Sequence, residues 1–507
     1  MKNMESRRWW VLGALSVGLL AVGLDMTVLN VALPTLATDL NASTSELQWI
    51  VNSYNLVLAA VLLLAGMLGD QFGRKKFLLM ALVLFGVASA ACAYSNSPGM
   101  LIFNRALLGL GAAFLIPLSM TALPVLFSGA ERTKAMMIWA TANMLGIPLG
   151  PIVGGWLLKH YSWGSVFLIN LPFVLVALIA VSVLMPESRS EFRQRLDWFG
   201  VLISGIGLVG VTYGVIKAGE YGWGDPVALV SIVLGILIVA GFVLWQRRTD
   251  HPLIDLSLFL SSSFTWGTLL ATLVSFALFG LLFAMPQYFQ AVVGVDTLGT
   301  GLRLLPLIGG LIVGAKASDR LLPAWGTKAA AALGFALMAA GLIIGSGTDV
   351  QSSYSFVATW ITLTGLGLGF ALPTTMDAAL GTISAERSGV GSAMIMAMRQ
   401  VGGAVGVALL GSVLNYGYRT RMDLAGLPDT AADTARHSVS AGVAVARQLN
   451  SKALLDNVHT SFIHGMNVML WVCGGIALLG IFLAFIYLPR KVASDESTET
   501  PSNQVVH

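Results

Sequence analysis

The sequence predicts an all-α polytopic membrane protein, with fourteen transmembrane helices arranged as two pseudo-symmetric six-helix bundles plus two inserted helices. Three observations carry this reading: an apolar composition, a series of apolar runs of bilayer length, and an internal repeat. Of 507 residues, 56% are hydrophobic and 11% charged, against roughly 25% charged in soluble proteins. That leaves no room for a soluble domain of ordinary size.

A crossing takes about 20 apolar residues. On that rule spans fall at 9–31, 47–68, 77–95, 99–124, 135–158, 165–185, 198–217, 226–245, 264–286, 300–318, 328–346, 355–378, 391–414 and 463–488. Arg7 and Arg8 precede the first run as they would a signal peptide. It is too long for one, and no small-residue cleavage site follows. The resulting organisation is a cytoplasmic N-terminus at 1–8, an N-terminal bundle at 9–190, inserted helices at 198–245, and a C-terminal bundle at 264–490. A loop at 415–462 is expected outside, with one or two short helices, and the polar 491–507 tail reads as disordered.

With the N-terminus inside, 18 of the 29 basic residues fall on cytoplasmic segments, among them Arg74, Lys75, Lys76, Arg132, Arg247, Arg248, Arg320 and Arg387. Short outer segments carry only Lys159 and Lys217. This asymmetry places both termini in the cytoplasm of a multi-pass protein of the cytoplasmic membrane.

The repeat is ungapped: 107–120 reads LLGLGAAFLIPLSM and 363–376 reads LTGLGLGFALPTTM, with seven identities at an offset of 256. The same offset lays Gly146, Gly150 and Gly155 on Gly402, Gly406 and Gly411. Spans one to six and nine to fourteen are thus parallel halves, and spans seven and eight are the insert.

Several functions are excluded. The net charge of +4 comes from short basic clusters between spans rather than a basic face, so no nucleic-acid partner is expected. Cys92 and Cys473 both lie in apolar runs, which speaks against a disulfide framework or a cysteine metal site. No phosphate-binding loop, metal-ligand spacing or nucleophile with its base appears, so neither an enzyme nor a nucleotide-driven pump is expected.

Two stretches break the rules of ordinary spans. Gly146, Pro148, Gly150, Pro151, Gly154 and Gly155 crowd one apolar run. The prolines remove backbone donors and the glycines remove bulk, which predicts a kinked helix closely approached by a neighbour. After span two, Gly69, Asp70, Gly73 and Arg74 set a carboxylate beside a turn glycine and a basic cluster. Such charges can latch two helices reversibly.

These stretches, with Arg105, Gly109 and Gly111 in span four and Asp25-Met-Thr-Val-Leu-Asn30-Val-Ala-Leu-Pro34 in span one, resemble the major facilitator superfamily. More narrowly they are similar to its fourteen-spanner drug:proton antiporters, which include quaternary-ammonium and multidrug exporters. The resemblance covers nearly all of residues 9–490. It implies a cytoplasmic latch at Asp70 and Arg74, a proton-linked arginine at Arg105, and an antiport-associated hinge at Gly146–Gly155. The position in span ten equivalent to the extra membrane acid of quaternary-ammonium exporters is Gly310, which speaks against a preference for dications.

From the residues themselves, Asp25 stands out, because a charge at the membrane centre costs about 2.5–3.5 kcal/mol on insertion scales. Asp25 and Arg105 each sit six residues from the expected outer end of their spans, roughly 9 Å deep at 1.5 Å per residue. They can meet at one level, either as a proton-binding acid tuned by an arginine or as a static pair. Asp377 is a possible second protonation site or an interfacial acid. Arg399 and Gln400 form another deep polar pair, suited to a polar substrate group or to capping a glycine-rich helix.

Asn30, Trp49, Asn52, Tyr54, Trp139, Asn143, Met144 and Met398, with Arg399 and Gln400, are the candidate substrate-cavity residues, since flexible methionines and aromatics repack around varied apolar ligands. The expected function is proton-coupled antiport that exports hydrophobic, weakly polar or monocationic compounds, with no cofactor beyond the proton gradient. The lipid bilayer is its surroundings, and the expected form is a monomer. A dedicated exporter of one metabolite, antibiotic, lipid or siderophore is the alternative.

Overall fold

The computed structural model describes residues 2–189, 196–384 and 387–489, and the tail assigned to 491–507 lies outside these. Nor are the side chains of Asn143 and Met144 among those described. Among the described residues the chain is helical throughout, with no strand. The first bundle holds α1 (Lys2–Asp39), α2 (Thr44–Phe72), α3 (Arg74–Ala93), α4 (Pro98–Leu126), α5 (Gly129–His160), the short α6 (Ser165–Leu168) and α7 (Asn170–Leu184). The pair expected as the insert forms α8 (Trp198–Tyr221) and α9 (Pro226–Gln246). Next come α10 (Ser262–Gln287), α11 (Thr297–Arg303), α12 (Leu305–Gly345), α13 (Tyr354–Leu380), α14 (Ser388–Arg421), α15 (Asp429–His437), α16 (Val439–Gln448) and α17 (Lys452–Tyr487).

Side-chain caps start many of these helices. Ser43 and Glu46 form a reciprocal capping box on α2, and Asp197 and Asp225 accept the Gly200 and Ala228 amides at the starts of α8 and α9. These bonds satisfy amide donors that a helix start leaves free.

Among the described residues, twelve helical stretches are long and apolar enough to cross a bilayer. One of them, Thr297–Gly345, runs 49 residues, about 73 Å at helical rise and twice a bilayer's thickness. It turns at Gly326, whose φ of 78° is left-handed. Every expected run falls largely on helix, but 165–185 is divided between α6 and α7, 300–318 between α11 and α12, and α3 stops at Ala93, short of 95, while other helices overrun the apolar stretches. Helix α1 passes through Pro34 to Asp39 rather than ending near 31. The connection expected at 415–462 shrinks to 422–451, because α14 and α17 extend into it, and it carries α15 and α16.

The repeat is visible as packing. A methyl built at Gly109 or Gly111 of α4 would run into the backbone of Tyr54 on α2 or Phe85 on α3. At the equivalent Gly365 and Gly367 of α13 it would meet Leu307 and Met338, on the two sides of the Gly326 turn. The two arms of α12 therefore play in the second half the parts that α2 and α3 play in the first. Two large apolar cores follow the halves, with Phe283 of α10 in the first core and Val31 of α1 in the second.

Candidate functional site

Asp25 and Arg105 meet. The guanidinium Nη1 lies 2.5 Å from Asp25 Oδ2, with the two side chains 1% and 2% exposed. Close helix packing brings them together, since Gly109, one turn beyond Arg105, lets α4 lie on the α2 backbone. Arg105 Nε donates to the Ile50 carbonyl at 3.2 Å, and its guanidinium carbon lies 4.4 Å from the Tyr54 ring centroid. The other carboxylate oxygen accepts from Asn170 Nδ2 at 3.2 Å. The same nitrogen donates to Ser89 Oγ at 3.0 Å, and Ser89 donates to the Phe167 carbonyl at 2.8 Å. A buried ion is tolerable only when paired and hydrogen-bonded, and this pair is both.

Asn170 and Ser89 escaped the sequence reading. Each is an ordinary polar residue in an apolar run, and only the packing of α7 against α1 and α3 gives it a partner. Tyr54, a candidate for the cavity, lies instead beneath Arg105, fully buried, with its hydroxyl unpartnered.

Helix α5 runs unbroken through Pro148 and Pro151. The expected kink is therefore no break, and the glycines act by close approach. A methyl at Gly146 would lie 2.5 Å from the Gly23 carbonyl carbon and 2.7 Å from Leu24 N. At Gly150 it would strike Thr27, and at Gly154 it would lie 3.2 Å from the Val28 carbonyl oxygen. Thr27 Oγ1 also donates to the Gly146 carbonyl at 3.3 Å. The glycine face of α5 thus grips α1 on both sides of Asp25.

At the next residue the same helix crosses to the other half. A methyl at Gly155 would lie 2.5 Å from the Thr297 carbonyl oxygen, Thr297 Oγ1 donates to the Gly155 carbonyl at 3.0 Å, and Lys159 pairs with Asp296 at 2.9 Å. The repeat partner Gly411 faces Gln48 of α2, whose amide donates at 2.9 Å to the carbonyls of both Val407 and Ala408 on α14. Gln290 donates to the Val31 carbonyl at 2.9 Å, and Thr44 to that of His437 at 3.1 Å. These links between the halves all lie toward the face where α1 ends. At the opposite face, the ion pairs among the described residues join elements within one half or tie the segment after α9 to α14, as Arg8 with Glu131 and Arg387 with Asp255.

On that opposite face Arg74 Nε lies 2.6 Å from Asp70 Oδ1. Gly73, with φ 122°, turns the chain from α2 into α3, and Gly69 leaves space for Leu118 of α4. Glu187, also missed in the sequence, accepts the Lys75 and Lys76 amides at 3.0 and 3.2 Å. A carboxylate there complements the positive end of α3. It ties the turn to the end of the first half.

The remaining candidates lie on α1, α2, α5, α13 and α14. Trp49 packs with Val215 and Ile216 of α8 and Ala408 of α14. Trp139 donates to Ser119 Oγ of α4 at 2.9 Å. Asn30 donates to the Met26 carbonyl at 3.2 Å, and Asn52 is fully buried with neither amide atom partnered. Arg399 Nε donates to Ser275 Oγ at 3.1 Å rather than to a carbonyl, with Met376 Sδ 3.9 Å from its Nη1. Gln400 is buried, Met398 packs on the small core around Phe264, and Asp377 is exposed. Gly310 sits against the Thr362 and Leu366 backbone, which leaves no space there for an acidic side chain.

The Major Facilitator Superfamily model matches residues 15–407. The chain belongs to the major facilitator superfamily. It is therefore a multi-pass membrane transporter, not an enzyme, and members of the superfamily need no cofactor. It is 34% identical to the tetracenomycin C resistance and export protein of Streptomyces glaucescens, over 97% of this chain and 94% of that one. It is also 34% identical to the multidrug efflux pump LfrA of Mycolicibacterium smegmatis, over 91% and 92% respectively. A bacterial homologue of the human lysosomal transporter Spinster, in an inward-facing and unoccupied conformation, superposes with a TM-score of 0.69. It is 16% identical and covers 95% of this chain and 98% of that one, a likeness of fold.

Proposed function

We propose that this protein is a proton-coupled antiporter that exports hydrophobic, weakly polar or monocationic compounds across the cytoplasmic membrane by alternating access. The observation that supports this most is the Asp25–Arg105 pair, sealed from solvent and flanked by the glycine face of α5. An acid paired with an arginine in one conformation and separated from it in another changes its hold on a proton, and that change is what coupling requires. Export agrees with the relatives named for efflux and for export.

The geometry suggests fourteen crossings: twelve apolar stretches, one of them counted twice at Gly326, and α5. The basic clusters support a reading with both termini inside, on which the linked face is the outer one and this conformation is open inward. Asp70 and Arg74 act as the cytoplasmic latch. Asp377, exposed in this conformation, is a second protonation site only if another state buries it. The protein works as a monomer. One electrogenic proton gains about 2.3 kcal/mol per 100 mV, enough for a gradient of roughly fortyfold at about 1.4 kcal/mol per decade.

The test compares wild type with Asp25→Asn in a pump-deleted host and in proteoliposomes. The variant is expected to insert and fold but to lose proton-driven efflux, and full drug-driven proton exchange in it would sink the assignment. A dedicated exporter is the second reading, favoured by the relative named for a single compound. Protection against several unrelated toxicants, abolished by an uncoupler, supports the multidrug form. Protection against one scaffold supports the dedicated form.

A further inference from the structure

The inserted hairpin touches the bundles unevenly. Where α1 ends, α8 is held tightly: Glu220 accepts from Ser45 Oγ at 3.0 Å, Asn415 donates to the Gly219 carbonyl at 3.3 Å, and a methyl at Gly219 would collide with Ser412. Towards its start α8 packs less closely on α2. A methyl at Gly205 would find only the Ala60 side chain, at 3.7 Å. The space between is a groove of about 630 Å³, walled by Val57, Ala60 and Val61 of α2 and by Gly205, Ile206 and Tyr213 of α8, with α9 behind. It opens sideways onto a surface where Leu202, Ile206 and Leu234 are more than half exposed.

At its upper end stands a cation without an anion. Lys217, one turn beyond Tyr213, lies 5.9 Å from the Tyr213 ring centroid and 5.1 Å from that of Tyr221. No carboxylate pairs with it among the described residues, whereas Lys159, the other basic residue on a short segment of this face, has Asp296. The groove and the cation match the two parts of a lipid. From Lys217 down to Gly205 the helix spans about 18 Å, close to the roughly 15 Å depth of one leaflet's hydrocarbon.

We propose that the groove between α2 and the α8–α9 hairpin binds one anionic phospholipid, with an acyl chain along Ala60 and Gly205 and its phosphate on Lys217. The apolar walls supply affinity for the chain. Lys217 supplies the preference for headgroup, and the tyrosines on either side fix its position at the interface. The insert is then completed by lipid.

The test uses the full chain as wild type, Lys217→Gln and Gly205→Phe, purified alike and supplied with equimolar phosphatidylglycerol and phosphatidylethanolamine. Native mass spectrometry counts what stays bound. Wild type is expected to keep one phosphatidylglycerol after other lipids are stripped, and Gly205→Phe to lose it. In Lys217→Gln the ratio of phosphatidylglycerol to phosphatidylethanolamine falls about fivefold, the effect of about 1 kcal/mol per surface lysine. Gel filtration and melting show whether Gly205→Phe folds, and Gly205→Leu is the smaller plug if it does not. Equal lipid number and headgroup ratio in all variants overturns the proposal. So does a wild-type dimer that Gly205→Phe dissociates, because the groove would then be a contact between copies.

Discussion

Arg105 lies over Tyr54, its guanidinium carbon 4.4 Å from the ring centroid, while the Tyr54 hydroxyl is buried without a partner. The ring matters to the arginine and the hydroxyl does not. Tyr54→Phe is therefore expected to keep transport and to leave stability equal or raised by about 1 kcal/mol, the relief of an unmet polar group. Tyr54→Leu loses the ring contact and is expected to cost about 1–3 kcal/mol. Melting of the two purified variants checks the order.

Gly109 fixes the approach of α4 to α2. A methyl there would lie 2.9 Å from Tyr54 Cα, which cannot move aside as a side chain would, whereas one at Gly99 meets nothing within 4 Å. Gly109→Ala is expected to lower the yield of monodisperse protein severalfold and Gly99→Ala to leave it unchanged. Fluorescence-detected gel filtration reads both.

The two seams between the halves answer differently to the same substitution. At Gly155 a methyl meets the Thr297 and Leu298 backbone, but at Gly411 its closest neighbour is the Gln48 side chain. Gly155→Ala is expected to push the halves apart at the face where α1 ends, shifting the population towards opening there, and Gly411→Ala to do so less. Distances between spin labels on α5 and α11 report the shift.

The Lys159–Asp296 pair is exposed on both sides, and a hydrogen bond from Lys159, then one from the Gly299 amide, holds the Asp296 carboxyl below its usual range. A lowered folded value means that the contribution is present above the usual carboxylate range, near 3.9, and lost as pH falls through the folded value. Between pH 5 and 8 the pair is thus expected to contribute a constant amount, and a small one. Lys159→Gln should leave the pH dependence of melting in that window unchanged, and a new inflection there would contradict it.

Hydropathy made the helices legible, because a bilayer demands long apolar runs whatever their packing. It made Asp25 and Arg105 legible too, since charge in such a run has few explanations. The azimuth of each helix was not legible: Trp49 and Trp139 share their types with cavity residues, yet one faces the insert and the other α4. Asn170, Ser89 and Glu187 acquire their meaning only from helices distant in sequence. Helix ends were missed where capping and turn glycines, rather than apolarity, set them.

The grip of Gly146, Gly150 and Gly154 on residues 23–28 has a mechanical consequence. With no side chain on the α5 side of the contact, and Thr27 of α1 seated against Gly150 and bonded to the Gly146 carbonyl, α5 cannot slide without carrying the stretch of α1 that bears Asp25. Arg105 is anchored separately, to Ile50 and Tyr54 of α2. A shift of α5 relative to α2 would therefore shear the ion pair directly, making the acid a strain gauge for the position of the helix beside it.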